Sequence, residues 1–142
     1  MSKGKFKVSI SRTPDATTPA AMKHFEFLRE EYEHVHIVNL LEQKGNKETD
    51  LSNAFRNQFI RYPECTEFDF SNFDFHAECG NKHFERIIKI FDSIDVPIRQ
   101  NLEKFGYFSM IDGDVVSTQS GVFRTNCLDC LDRTNVIQGT IA

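Results

Sequence analysis

The sequence predicts an α/β fold with a mixed sheet flanked by helices. Strand-like and helix-like segments alternate along the 142 residues. Residues 35–41 form a mainly apolar run with Val35, Ile37, Val38, Leu40 and Leu41, which is typical of a strand covered on both faces in a parallel sheet. Two further strand-like segments, 105–111 and 115–123, flank Asp112-Gly113, a strong signal for a hairpin turn. The chain is 39% hydrophobic and 27% charged, which suits one domain with a real core.

The helices follow from capping residues and apolar spacing. Thr18-Pro19 is expected to begin the first helix, with Thr as N-cap and Pro at the first helical position. Thr49 is expected to cap a second helix that Tyr62-Pro63 ends. Residues 81–101 have an apolar stripe at helical spacing and predict a long helix, which Pro97 should kink or divide.

The remaining elements are short. Residues 5–10 alternate as a strand does, and residues 66–70 resemble a brief second strand. A last helix is expected to begin just after Arg133.

Bulk properties exclude several classes of protein. The net charge of −4 argues against a general nucleic-acid binder, which would usually be basic. A Lys-rich N-terminus without a following apolar run predicts no signal peptide, and no apolar stretch approaches the length of a membrane span. Four cysteines without secretory context indicate a reducing compartment. We therefore expect a cytoplasmic protein whose contact with membranes is peripheral.

The run from Cys127 to Thr134, CLDCLDRT, carries the strongest chemical signal. Such a loop between a strand and a helix N-terminus gathers backbone N–H groups into an anion cradle, to which the helix dipole adds partial positive charge. Cys127 is predicted to be a thiolate nucleophile, because positive surroundings lower the pKa of a thiol. Arg133 offers a planar fork of donors suited to two phosphate oxygens. The pattern indicates a cysteine-dependent phosphatase.

The other residues of this run have supporting roles in the prediction. Asp132 and Asp129 are both candidates for the acid that protonates the leaving group, and Asp132, beside Arg133, is favoured. For Asp129 a hydrogen bond to the loop backbone is an equally good interpretation. Thr134 can donate a hydrogen bond to the thiolate. The remaining residues predicted to bind or shape the phosphate site are Asn126, Leu128, Cys130 and Leu131.

The full string from Arg124 to Asn135, RTNCLDCLDRTN, closely resembles the signature of the Sac-domain phosphoinositide phosphatases, the family that includes the synaptojanin N-terminal domain. The resemblance extends upstream. Segments 8–12 (VSISR), 38–41 (VNLL) and 72–76 (NFDFH) are similar to elements of that family, with Phe75 where the family has Tyr. Segments 106–108 and 119–121 resemble the strands that lead into the signature.

The resemblance implies a substrate, a location and a larger domain. It implies removal of phosphate from the inositol ring of phosphatidylinositol phosphates at the cytosolic face of a membrane, without a metal or another cofactor, with Cys127 as nucleophile and Arg133 as phosphate ligand. Residues 1–142 are then expected to be the C-terminal part of a catalytic lobe, without an N-terminal lobe and the helices after the signature. A non-catalytic phosphoinositide-binding or scaffold module is the alternative, because a fragment can hold an anion without turning it over.

Other interpretations of the same residues are weaker. Cys127 and Cys130 could form half a zinc site or a redox pair, but no second C-x-x-C follows, and no His has the usual spacing. Cys130 could also trap an oxidised Cys127 as a disulfide. A protein tyrosine phosphatase signature usually has His before the cysteine and Gly within the loop, whereas this sequence has Asn126 and no such Gly.

Overall fold

The computed structural model describes residues 8–45, 48–80, 83–92, 98–128 and 131–142. The protein is a mixed α/β fold in which helices flank a small sheet, as the sequence predicts. The strands are β1 (His34–Asn39), β2 (Asp69–Asn72), β3 (Ser109–Ile111), β4 (Asp114–Ser117) and β5 (Gly121–Asn126). The α-helices are α1 (Pro14–Glu31), α2 (Thr49–Ile60), α3 (Phe75–Cys79), α4 (Ile98–Phe105) and α5 (Asp132–Ile141), and 3-10 helices cover Cys65–Glu67 and Phe84–Asp92.

The main sheet has three parallel strands in the order β2-β1-β5. Strand β1 is central, and five of its six residues are buried, which confirms the prediction of a strand covered on both faces. The antiparallel β3–β4 pair forms a second sheet. Parallel and antiparallel pairings therefore occur in separate sheets of the described part of the chain, where the sequence predicted a single mixed sheet.

Two apolar clusters cover the two faces of β1. Val35 and Ile37 pack with aromatic residues of α1 and α2, including Phe25 and Phe59. Val38 belongs to the other cluster, which contains residues of α3, α4, α5 and the second 3-10 helix. Alternate β-strand residues point to opposite faces, so one strand contributes to both clusters. Full burial of a residue such as Ile37, which is 0% exposed, contributes about 1.5–3 kcal/mol.

Several predicted helix boundaries were wrong. Helix α1 begins at Pro14, with Thr13 as N-cap accepting a hydrogen bond from the Ala16 N–H (3.3 Å), so Pro19 lies inside the helix. The chain has two Thr-Pro pairs, and local propensity does not choose between them. Thr49 is the first residue of α2, and its hydroxyl donates to the Gly45 carbonyl (2.9 Å) instead of capping the helix.

The prediction of one long helix over residues 81–101 was also wrong for the residues that the structure describes. Residues 84–92 form a 3-10 helix, and α4 starts only at Ile98. Pro97 lies outside the described residues. The predicted strand at 5–10 has no regular structure over residues 8–10, and residues 5–7 lie outside the described part. The second strand, predicted at 66–70, is found at Asp69–Asn72.

The hairpin prediction is confirmed at its turn. Asp112 (φ 51°) and Gly113 (φ 92°) both have positive φ, as a two-residue hairpin turn of the primed type requires. The strand predicted at 115–123 is in fact two strands. Its first part pairs within the hairpin as β4, and its last residues enter the parallel sheet as β5.

Gly121, at the start of β5, is a position where only glycine fits. A Cβ atom there would overlap the side chain of Phe105, which is 2% exposed. We expect Gly121→Ala to lower the free energy of unfolding by about 1–3 kcal/mol, since the buried ring must shift. The matched control is Gly139→Ala in α5, where a Cβ meets nothing within 4 Å and should stabilise the helix by about 0.5–1 kcal/mol. Equal urea midpoints for the two variants would contradict this prediction.

His36, in the middle of β1, is fully buried and bridges two polar side chains. Its Nε2 lies 2.7 Å from Ser71 Oγ and its Nδ1 lies 2.9 Å from Asn101 Nδ2. Burial lowers the pKa of His36 from 6.5 to about 4, although the nearby Asp69 acts in the opposite direction. The imidazole is therefore neutral in the folded protein at neutral pH.

The low pKa of His36 predicts that stability falls in mild acid. The unfolded chain takes up this proton below about pH 6.5 and the folded chain only near pH 4. The contribution of the neutral His36 side chain to the free energy of unfolding is thus fully present above pH 6.5. It is lost as the pH falls, by about 2 kcal/mol between pH 7 and pH 5. Urea unfolding of wild type and His36→Gln at both pH values measures it. His24, whose pKa is lowered by burial and then by Arg124, acts in the same window, so His24→Asn is the control. An unchanged pH dependence in His36→Gln would contradict the assignment.

In the described part of the chain, no helix is long and apolar enough to cross a membrane.

Candidate active site

Three asparagines lie side by side at the carboxyl edge of the parallel sheet. Asn39 ends β1, and it pairs in register with Asn72 on β2 and with Asn126 on β5. The Nδ2 of Asn126 donates to Asn39 Oδ1 (3.0 Å), and the Nδ2 of Asn39 donates to Asn72 Oδ1 (3.0 Å). We call these three residues the asparagine row. It fixes the ends of all three strands relative to one another.

The asparagine row is also joined to the segment that follows β1. Asn39 Nδ2 donates to Ser52 Oγ (2.8 Å) in α2, and Gln43 Nε2 donates to the same hydroxyl (3.0 Å). The Gln43 backbone N–H donates to Asp74 Oδ2 (2.8 Å), just beyond β2. In open α/β sheets, ligands bind outside the carboxyl ends of the strands, where chain connections diverge to either side. The asparagine row and Asp74 lie at this carboxyl edge of the sheet.

Cys127 follows β5 directly and therefore lies at this edge. It is partly buried, is not in a disulfide, and packs against the core cluster that contains Val38 and Ile137. The Leu40 N–H donates to the Asn126 carbonyl (2.8 Å), which extends the β1–β5 pairing to the residue before the thiol. The position of Cys127 relative to the sheet is thus fixed by backbone and side-chain hydrogen bonds of its neighbour.

Helix α5 begins at Asp132, five residues after Cys127. Asp132 is exposed, whereas Arg133 and Thr134 in the same turn are 8% and 7% exposed. The Thr134 hydroxyl is buried and has no hydrogen-bond partner among the described residues. The first turn of α5 therefore directs a guanidinium and a hydroxyl into the protein and a carboxylate towards solvent.

Arg133 forms a buried, two-point ion pair with Glu48, the residue before α2. Its Nη1 and Nη2 donate to the two carboxylate oxygens of Glu48, both at 2.8 Å. Burial acts to raise the pKa of Glu48. This effect is outweighed by hydrogen bonds from Arg133 and from the Glu42 backbone and by the charges of Arg133 and His76. The pKa of Glu48 therefore lies below its ordinary value. Glu48 is therefore a carboxylate at neutral pH.

The structure brings some of the predicted site residues together and leaves others apart. Asn126 belongs to the asparagine row, and Cys127 follows it. Leu128 and Leu131 are 43% and 62% exposed. Asp129 and Cys130 lie outside the described residues, so the choice between Asp129 and Asp132 as acid stays a prediction, as does the role of Cys130. In the described part of the chain, no group of three His, Cys, Asp or Glu residues could hold a metal ion.

Sequence reasoning missed three residues at this edge: Asn39, Asn72 and Glu48. A signal for two of the asparagines was available in segments 38–41 and 72–76, which contain Asn39 and Asn72 and resemble elements of the family, although the predicted strands end at 41, 70 and 123. Glu48 carries no such signal, since it stands among other charged residues and meets Arg133 only through a contact 85 positions away.

A cavity in the described part of the chain lies away from this edge. It has a volume of about 570 Å³ and lies between residues 8–12, the start of α1, and α2. None of its lining residues is a predicted site residue. The predicted site residues therefore do not line this cavity. The chemically distinctive residues converge instead at the carboxyl edge of the sheet.

A family model described as the SacI homology domain matches residues 1–80, which is more than half of the chain. The chain belongs to the SacI homology domain family. This finding confirms the family resemblance drawn from the sequence motifs. The described part of the matched region includes β1, β2 and the first three α-helices of this SacI homology chain.

Two of the three relatives of this SacI homology chain given below have names that describe them as phosphatases. It is 43% identical over 137 residues to inositol-1,4,5-trisphosphate 5-phosphatase 1 of Schizosaccharomyces pombe, covering 96% of this chain and 12% of that protein. It is 41% identical over 128 residues to phosphatidylinositol-3-phosphatase SAC1-A of Danio rerio, covering 84% and 20%. It is 36% identical over 137 residues to synaptojanin-1 of Homo sapiens, covering 95% and 8%.

The extent of these matches bears on the signature segment. A match to 96% of 142 residues leaves out about six of them, so the alignment with the S. pombe protein includes Cys127 to Thr134. The SacI homology chain spans only 12%, 20% and 8% of these three relatives. Activities of the whole relatives therefore reach this chain only as proposals.

Proposed function

We propose that this chain carries the catalytic signature of a phosphoinositide phosphatase, which hydrolyses phosphate monoesters of phosphatidylinositol phosphates through a phosphocysteine intermediate. The observation that carries the proposal is the position of Cys127. It leaves the carboxyl end of β5 beside the central strand, and five residues later α5 begins with Asp132, Arg133 and Thr134. Membership of the SacI homology domain family and the names of the relatives support the substrate class.

The proposed reaction has two steps. In the first, the Cys127 thiolate attacks phosphorus, a sulfur–phosphorus bond forms, and the bond to the inositol oxygen breaks. The leaving oxygen takes a proton from a carboxylic acid. In the second, water attacks the phosphocysteine and gives a proton to the carboxylate formed in the first step. Orthophosphate then leaves, and the thiolate is restored without any metal or redox partner.

The supporting residues have distinct parts in this proposal. Arg133 binds the phosphate oxygens and stabilises the charge that develops on them in the transition state. Asp132, exposed at the first position of α5, is favoured as acid because its carboxyl group is accessible to a substrate headgroup, and Asp129 is the alternative. The buried hydroxyl of Thr134, which has no hydrogen-bond partner among the described residues, is available to donate to the thiolate during the reaction. Asn126, Leu128, Cys130 and Leu131 complete the phosphate site.

The substrate places the reaction at a membrane. A phosphatidylinositol phosphate is held in a bilayer by its acyl chains, so we propose peripheral contact with the cytosolic face of a membrane. We also propose that residues 1–142 are part of a larger Sac-type catalytic domain. The shares of 8–20% that the chain covers of the three relatives described above support this.

The proposal is tested by phosphate release. Purified protein is incubated with vesicles containing phosphatidylinositol 3-phosphate or 4-phosphate, with EDTA present, and orthophosphate is measured. We expect release from phosphorylated lipids and none from vesicles of unphosphorylated phosphatidylinositol. Co-sedimentation with the phosphorylated vesicles without any release would contradict catalysis and favour the non-catalytic binding module.

A further inference from the structure

We infer that Glu48 is a positioning residue for Arg133, holding the guanidinium in the orientation in which it receives phosphate. The inference rests on the proposed function, because it assumes that Arg133 is a phosphate ligand. It adds a residue that lies 79 positions before the nucleophile in the sequence, outside the signature loop.

The geometry of the pair is the starting point. Both distances are 2.8 Å, and the two carboxylate oxygens meet Nη1 and Nη2 separately. A guanidinium is planar and has five N–H donors, so a carboxylate on the Nη1–Nη2 edge sets the plane and direction of the whole group. The two hydrogen bonds to Glu48 do not involve the Nε–H donor. Because the guanidinium is rigid, they also set the direction of the edge that contains Nε.

Glu48 is itself held firmly, which a positioning residue requires. It is 5% exposed, and its Oε2 also accepts a hydrogen bond from the Glu42 N–H (3.2 Å). Its carbonyl accepts the Ser52 N–H (2.9 Å) in the first turn of α2. Ser52 in turn contacts Asn39 of the asparagine row. The carboxylate is therefore connected to the same sheet edge from which Cys127 leaves.

The electrostatic surroundings keep Glu48 ionised. Arg133 and His76 are the positive groups that favour its charged form. Without this carboxylate, Arg133 would retain its charge but lose the two hydrogen bonds that orient its guanidinium plane. A functional group held loosely by about 1 Å loses much of its effect on a reaction or a ligand.

A carboxylate on the guanidinium could instead act as a competitor for phosphate. The two roles predict opposite results. If Glu48 positions Arg133, its removal weakens phosphate binding. If Glu48 competes, its removal strengthens phosphate binding, because an anion leaves the place that phosphate takes.

The test compares the affinity for inorganic phosphate, by isothermal titration at pH 7, of wild type, Glu48→Gln, Glu48→Asp and Arg133→Lys with that of a control variant. We expect Glu48→Gln to bind phosphate about tenfold more weakly or worse, since a neutral amide cannot accept both donors. Glu48→Asp keeps the charge but draws the carboxylate back by one methylene, so it should be intermediate and remains informative if Glu48→Gln fails to fold. The matched control is Phe25→Leu, which lowers stability through the other core cluster and should keep the wild-type phosphate affinity.

The outcomes distinguish failure of the inference on Glu48 from failure of the proposed function. Arg133→Lys keeps a positive charge beside Glu48 but removes the planar fork, and it tests the phosphate-binding role of Arg133. If Arg133→Lys weakens phosphate binding while the folded Glu48 variants bind as tightly as wild type, or more tightly, the inference on Glu48 is overturned and the proposed function stands. If wild type does not bind phosphate, or Arg133→Lys binds it equally well, both are overturned.

Discussion

Replacing Cys127 with serine is expected to abolish phosphate release while leaving binding of phosphoinositide vesicles in place. A serine hydroxyl is not ionised at neutral pH and has no adjacent base in the proposed scheme, so the covalent step is lost. We expect a fall in the rate of at least about 1,000-fold, as for the loss of other enzyme nucleophiles. Initial rates of orthophosphate release, measured beside vesicle co-sedimentation, give both quantities on one preparation.

Cys65→Ser is the matched control for this experiment. Cys65 is also a partly buried cysteine, but it packs against the cluster that contains Phe25, on the other face of β1. Its replacement should leave phosphate release unchanged. Full activity in Cys127→Ser, or an equal loss in the two variants, would rule out Cys127 as nucleophile.

Replacing Arg133 with methionine is expected to cost about 3–5 kcal/mol of folding free energy, because it leaves a buried carboxylate without its partner. Glu48 is 5% exposed, and its hydrogen bonds with Arg133 are among the causes that keep its pKa low. Without the guanidinium, burial remains and raises the pKa of Glu48. Urea or guanidinium chloride unfolding, monitored by circular dichroism, measures the loss.

The double variant Glu48→Leu/Arg133→Met distinguishes a lost ion pair from a damaged core. Removal of both charges eliminates the unpaired carboxylate, and apolar replacements of similar volume are often neutral or stabilising. We expect the double variant to regain most of the stability lost in Arg133→Met. A double variant less stable than either single variant would show that packing, and not charge, determines the stability of this contact.

The parts of the fold that local patterns determine were predicted well. The apolar run of β1 indicates a buried strand because it is too short for a buried helix. Asp112-Gly113 marks its turn because both residues tolerate positive φ. The two Thr-Pro pairs show the limit, since both satisfy the same capping rule and only packing of α1 against α2 and the sheet selects Thr13.

Prediction of the site residues was limited because some of their contacts join distant parts of the chain. The signature indicates Cys127 and Arg133 because their chemistry is encoded within eight residues. The partner of Arg133 is not encoded there, since Glu48 belongs to the start of another helix. Register across the sheet, which places Asn39 beside Asn126, also depends on long-range pairing that no short window contains.

The order of synthesis has a consequence for the asparagine row. Asn39 and Asn72 leave the ribosome before the last member, Asn126, which follows Asn39 by 87 positions. Closing so long a loop costs entropy before any contact compensates for it, and parallel pairing between distant strands is slow to form. A nascent chain thus completes its first two strands well before the reactive sulfur can be put in place, and a ribosome that stalls before β5 releases a polypeptide without the nucleophile.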